Sequence, residues 1–171
     1  MTKILKLRYY GDDILITPAK KVDSINDEIV KLTDDMVATM IHHQGIGLAA
    51  PQVGFGHRII VFMDVQDENN HKIVKLINPE ITETSKELST NKEGCLSMPS
   101  ISGNIKRPEK IKVIGMDEKG QLIEITAQGI TAACIQHEID HINGIMFIDR
   151  MPKVKRMMVL EKYNKTKIQS L

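Results

Sequence analysis

Apolar residues recur at steps of three and four through Ile25, Ile29, Leu32, Met36 and Met40, with Val37 and Ile41 widening the stripe. That period predicts an amphipathic helix. Ser24 stands three residues before Asp27, the spacing of a capping box, and so marks the helix start. Gly45 and then Pro51 end the helix near His42–Gln44. The middle of the chain changes period. Arg58–Val65 reads as a strand closed by a polar run, and Ile73–Ile81 as another, broken at Asn78-Pro79. Lys110–Met116 and Gln121–Thr126 flank Asp117-Glu118-Lys119-Gly120 as a hairpin. From Ile130 to Ile142 the pattern is helical again, with Gly144 as its C-cap. Val154 to Ile168 predicts a last amphipathic helix, burying Val154, Met157, Met158 and Tyr163.

The elements do not alternate as βαβ units. Their order predicts an α+β fold: mostly antiparallel sheets packed around the central helix of residues 130–142, with an N-terminal and a C-terminal helix. No repeat, low-complexity run or linker divides the chain, so residues 1–171 are expected to form a single domain.

Composition narrows the class. At 42% hydrophobic and 26% charged the chain is globular in character, and no apolar run approaches the length of a membrane span. The first residues lack a signal peptide's apolar core, so the expected location is the cytoplasm. A net charge of +1 argues against a specific nucleic-acid binder. The charge is uneven, however: six cations and one anion, Glu161, lie in 153–171, making that terminal helix basic. Cys95 and Cys134 are the only cysteines, too few for a disulfide framework in a reducing compartment.

The chemistry concentrates in three segments. His137-Glu138-Ile139-Asp140-His141 lies in the central helix, where residues four apart share a face. Both imidazoles can therefore reach one ion, while Glu138, roughly 100° round the helix, can address a water without being a ligand. This is the HExxH pattern of metal hydrolases. A catalytic ion needs a third protein ligand and an open position. Glu161 would serve in a metallopeptidase, but Cys95, in Glu93-Gly94-Cys95-Leu96-Ser97, has the polar and glycine neighbours of an exposed turn. Cys134 fits a small buried hydrophobe better. The third segment, Gly45-Ile46-Gly47-Leu48-Ala49-Ala50-Pro51-Gln52, matches a dinucleotide fingerprint only mechanically, because it follows a helix instead of opening one. It reads as a turn, or as a small-residue loop whose backbone pairs with an extended peptide and delivers the Gln52 amide.

Taken together, GIGLAAPQ (45–52), EGCLS (93–97) and QHEIDH (136–141) resemble the three signature motifs of the peptide deformylase family, complete and in order. The resemblance implies hydrolytic removal of the N-formyl group from the initiator methionine of nascent polypeptides, with release of formate. It implies Cys95, His137 and His141 as ligands of one divalent ion, Fe²⁺ expected and Zn²⁺, Ni²⁺ or Co²⁺ possible. Glu138 becomes the general acid/base, and Gln52 with the Leu96 N–H the oxyanion donors. Ile46, Gly47 and Gly94 correspond to backbone rails for the peptide, and Ile46, Ile130, Cys134 and the His137 ring to the methionine pocket. The family's C-terminal helix can lie near the ribosomal exit, which implies a ribosome contact for the basic helix. Two departures stand out: Gly11–Leu15 lacks a proline common in relatives, and Pro99–Gly103 is neutral where many carry a cation. Arg107 is instead expected to pair with Glu93. Competing readings are a metallopeptidase using Glu161 and a silent binder of N-terminal peptides.

Overall fold

A computed structural model describes residues 1–169. Two sheets grip a helix between them. In chain order the elements are α1 (Asp27–His42), β1 (Gly47–Ala49), β2 (Ile59–Asp64), β3 (Lys72–Thr84), β4 (Leu88–Cys95), β5 (Met98–Pro108), β6 (Lys110–Met116), β7 (Leu122–Gln128), α2 (Gly129–Ile142) and α3 (Lys153–Gln169). One sheet has the order β1-β2-β3-β6-β7 and the other is the β4-β5 hairpin; all pairings are antiparallel. The α+β class read from the pattern is borne out.

α1 starts two residues later than Ser24 suggested. Asn26 is the cap, its Oδ1 accepting from Ile29 N at 3.0 Å and so satisfying one of the orphan N–H groups of the first turn. Ile29, Leu32, Met36 and Met40 then pack on Leu48, Val61 and Ile77 of the large sheet. α2 differs in kind. Every residue from Thr131 to Ile142 is buried, because the helix is covered by both sheets. Ile135, Ile139 and Ile142 join Phe62, Leu76 and Val113 in one core, which leaves the polar flank of the helix turned towards β4 and β5. Gly144 ends it with φ +76°, its N–H donating to His141 O while Ile145 N reaches Asp140 O, a glycine-capped terminus.

Three expectations need correcting. β3 is not broken at Asn78-Pro79. It runs through with a register shift between Ile77 and Glu80, since Asn78 takes φ +52° and exchanges two 2.9 Å hydrogen bonds with the backbone of Val22. The peptide-amide mimicry of the Asn side chain replaces what the strand loses at the proline. The turns expected at Gly45–Gln52 and around Cys95 hold paired strands instead, β1 in the first and the end of β4, paired with β5, in the second. Finally, α3 forms as expected but buries a different face. Val154, Met157, Met158 and Ile168 are exposed, whereas Tyr163 is buried edge-on against Tyr10 at 5.7 Å, beside Val159 and Leu160. Residues 170 and 171, the end of the expected basic helix, lie outside the described residues. Among the described residues no helix is long and apolar enough to cross a membrane.

Candidate active site

The helical repeat of α2 sets His137 and His141 on one side, with their Nε2 atoms 3.2 Å apart. β4 brings the third group. Its ladder with β5 slips between Gly94 and Cys95, so the strand ends in a turn that points Cys95 Sγ at His141 Nε2, 3.2 Å away. The three donor atoms lie within 4.8 Å of one another. One thiol and two imidazoles, drawn from segments more than forty residues apart and largely shielded from water, make a metal-binding group.

Surrounding residues orient these donors and set how readily each gives up a proton to a cation. His137 Nδ1 lies 2.8 Å from Glu93 Oε1, a carboxylate that orients the ring so that Nε2 faces the other donors. Phe147 stacks on the same ring at 5.8 Å. Burial alone would raise the Glu93 carboxyl. Hydrogen bonds from His137 and Arg107 outweigh it and hold Glu93 below its ordinary value. Arg107 clamps Glu93 through Nε at 2.6 Å and Nη2 at 2.9 Å, then spends Nη1 on Asp140 at 2.9 Å. Arg150 closes the chain with two bonds to Asp140, 2.8 and 2.6 Å. Burial, with the positive charge of His137 and Arg107 adding to it, keeps His141 well below its usual value and therefore a neutral donor. For His137 burial acts downwards, but bonds to Cys95 and Glu93 raise it. A proton and a cation compete for such lone pairs, so metal affinity weakens as pH is lowered.

Glu138 is 4% exposed, and its Oε2 has no hydrogen-bond partner among the described residues. Burial raises its pKa to about 7, with Glu93 and Asp140 adding and His137 and Arg107 opposing. A carboxyl poised there can take and return a proton near neutral pH. Gln52 is aimed by its own turn. Ala49 N donates to its Oε1 at 2.8 Å, which turns Nε2 towards Cys95 Sγ (3.5 Å) and Ser97 Oγ (3.3 Å). The N-terminal arm spans both walls, Arg8 N bonding Gln52 O at 2.7 Å and Tyr10 N bonding Ser97 O at 2.9 Å. Gly47 is required by close approach: a Cβ there would stand 2.5 Å from Glu138 Oε1 and 2.6 Å from Cys134 Sγ. Cys134 itself stays a thiol, pushed up by burial, and donates to Ile46 O.

These groups open into a cavity of about 880 Å³ lined by Ile46, Gly47, Gly94, Leu96, Ile130 and Cys134 among others. Of the residues the family resemblance assigns to metal, catalysis and peptide, all but His141 line it, and His141 lies just behind, fully buried. β1 and β4 are edge strands of their sheets, and both border the cavity. The rival ligand Glu161 is elsewhere, exposed and paired with Lys165 at 2.8 Å. Asp140, Arg150 and Ser97 escaped the sequence reading. Asp140 offered one signal, a carboxylate between the buried isoleucines 139 and 142, which needs a partner.

A sequence model of the polypeptide deformylase family matches residues 4–157. The chain belongs to the peptide deformylase family. The peptide deformylase of Thermodesulfovibrio yellowstonii is 44% identical over 164 residues, 96% of this chain and 98% of its own length. Among solved deformylase structures, that from Ehrlichia chaffeensis superposes with a TM-score of 0.91 at 37% identity, covering 98% of this chain and 99% of its own. A Met-Ala-Ser-bound deformylase from Acinetobacter baumannii matches with a TM-score of 0.82 at 36% identity, over 88% and 100% of the two chains. The family is metal-dependent, and the Cys95, His137 and His141 donor set fits a divalent transition ion.

Proposed function

We propose that this chain hydrolyses the N-formyl group of formyl-methionyl nascent peptides, releasing formate, with Glu138 as general acid/base and Cys95, His137 and His141 as metal ligands. The observation that carries this reading is the meeting of one thiol and two imidazoles beside a buried, unpartnered carboxyl in a cleft bordered by two edge strands. When bound, the ion supplies Lewis acidity that makes water acidic and polarises the formyl carbonyl. Glu138 Oε2 accepts the proton of the attacking water as its oxygen bonds to the formyl carbon. Gln52 Nε2, with the Leu96 N–H, donates to the carbonyl oxygen as it becomes an oxyanion. Glu138 then passes the proton to the methionyl nitrogen, the C–N bond breaks, and formate and a free amine leave. The edge strands at Ile46–Gly47 and Gly94 hold the peptide backbone in extended form. Ile46, Ile130, Cys134 and the His137 ring receive the methionine side chain. The Met-Ala-Ser complex of the Acinetobacter baumannii relative supports a tripeptide in this cleft.

The ion proposed is Fe²⁺, which suits a mixed thiolate and imidazole set, with Zn²⁺, Ni²⁺ or Co²⁺ able to replace it. The cytoplasm, where nascent chains emerge and Cys95 stays reduced, is the proposed location. The six cations of 153–171 and the exposed Val154, Met157 and Met158 support docking of α3 at the ribosome. The test is formate release from formyl-Met-Ala-Ser by anaerobically purified protein of measured metal content. Turnover proportional to bound metal is expected; fully metallated protein releasing no formate would overturn the proposal.

A further inference from the structure

The wall of the cleft beyond the metal-binding group carries an asymmetry of charge. Its ionisable carboxylates, Glu93 and Glu138, are both buried, and Glu93 is held by Arg107 and His137. Among the described residues, the one lysine or arginine in the lining is Lys92 on β4. Glu93 turns its side chain inwards to α2, so strand alternation turns Lys92 and Gly94 the other way, and both are exposed. The Lys92 ammonium has no hydrogen-bond or ion-pair partner among the described residues. The remaining polar residues of this rim, Tyr9, His43, Gln44, Thr90, Asn91 and Ser100, add no carboxylate and no further lysine or arginine. The mouth therefore presents a fixed positive charge with no carboxylate to neutralise it.

We propose that Lys92 is a specificity-determining residue that favours formyl-methionyl peptides with an acidic third residue over those with a basic one. The inference rests on the proposed function and sharpens its substrate class. Lys92 stands three residues before Cys95 on an extended strand, about 10 Å at roughly 3.3 Å per residue. An extended substrate laid along the β4 edge, with its formyl group at the metal-binding group, reaches the same distance at its third residue. The cavity of about 880 Å³ is far larger than a formyl-methionine and has room for that length. A carboxylate there meets Lys92 through partly screened water, and an ammonium is repelled by it. The two effects together amount to about fivefold at physiological salt.

The test measures kcat and KM for formyl-Met-Ala-Ser-amide, formyl-Met-Ala-Glu-amide and formyl-Met-Ala-Lys-amide, the amides removing the terminal carboxylate. For the metal-loaded wild type, kcat/KM for the Glu peptide should exceed that for the Lys peptide about fivefold, through KM, and the ratio should narrow in ~0.5 M salt. Lys92→Gln should bring the ratio close to one and Lys92→Glu should invert it. Equal kcat/KM for the two charged peptides, or a preference that persists in Lys92→Gln, would overturn this inference while leaving deformylation intact. No turnover of the neutral Ser peptide would overturn the proposed function, and the inference with it.

Discussion

Replacing Arg107 by Met tests whether the buried charge network organises the metal-binding group. Arg107 is 3% exposed and makes three charge-assisted bonds, two to Glu93 and one to Asp140. Methionine keeps much of the volume and removes the charge. The cost is not three bonds' worth. Asp140 keeps both bonds from Arg150, while Glu93 keeps only His137. The dominant loss is one buried carboxylate deprived of its guanidinium, about 3 kcal/mol. That is a large share of a typical total of roughly 5–15 kcal/mol and should lower Tm by about 6–12 °C. Glu93 would then be easier to protonate, and His137 would lose part of the acceptor that orients it. Metal affinity should fall about 10–100-fold. Urea unfolding of metal-free protein gives the first number, and competition with a chelator gives the second. Adding Glu93→Gln to Arg107→Met should cost less than the two single changes combined, because the orphaned charge disappears. A loss below about 1 kcal/mol with unchanged metal affinity would refute the reasoning, since an uncompensated buried carboxylate cannot be that cheap.

Glu138→Gln should retain its metal and lose about 10²–10⁴-fold in kcat, because the amide cannot shuttle the proton; near-normal formate release would remove Glu138 from its role. Cys95→Ser should lose metal to a chelator far more readily than wild type while Glu161→Ala does not, and the reverse pattern in metal analysis would favour the peptidase-type ligand set. Exposure of the Fe²⁺ form to air should abolish activity, with anaerobic Fe²⁺ or Ni²⁺ restoring it, whereas air-stable Fe²⁺ activity would contradict a ferrous–thiolate centre. Asp35 supplies a pH signature of stability. Burial raises its carboxyl, but hydrogen bonds from Lys31 and the Lys3 N–H, with the charge of both lysines, bring it below its ordinary value. A depressed folded value means stability present above the unfolded pKa and lost as pH falls through the folded one. Asp35→Asn should therefore be about 0.5–1 kcal/mol less stable than wild type at pH 7 and converge with it once pH has fallen below the depressed folded value, as read by urea midpoints; a constant gap would rule the charge out.

What could be read without coordinates was whatever is written in local period or in a complete motif. The three helices, β2 and the β6-β7 hairpin each carry their own signal, since one face of each must be apolar to meet a core. The spacing of His137 and His141 needs only the helical repeat to place both imidazoles together. The Glu93–Arg107 pair was also expected, and it forms.

Only the tertiary structure decided the rest. β4 has one β-branched residue, Thr90, β5 has two, Ile101 and Ile105, and β1 is Gly-Leu-Ala, so none carries the dense apolar alternation that marks a strand; pairing makes them strands. Which face of α3 is buried was equally undetermined, because several of its sides carry apolar residues and the neighbour, Tyr10, comes from the far end of the chain. The same holds for the thiol. Nothing near Cys95 states that a slip in the β4-β5 register will end the strand beside α2, 3.2 Å from a residue 46 positions later. Local order follows from steric and hydrophobic preferences within a few residues, whereas a site assembled from distant segments depends on how whole elements pack, and that is a property of the folded chain.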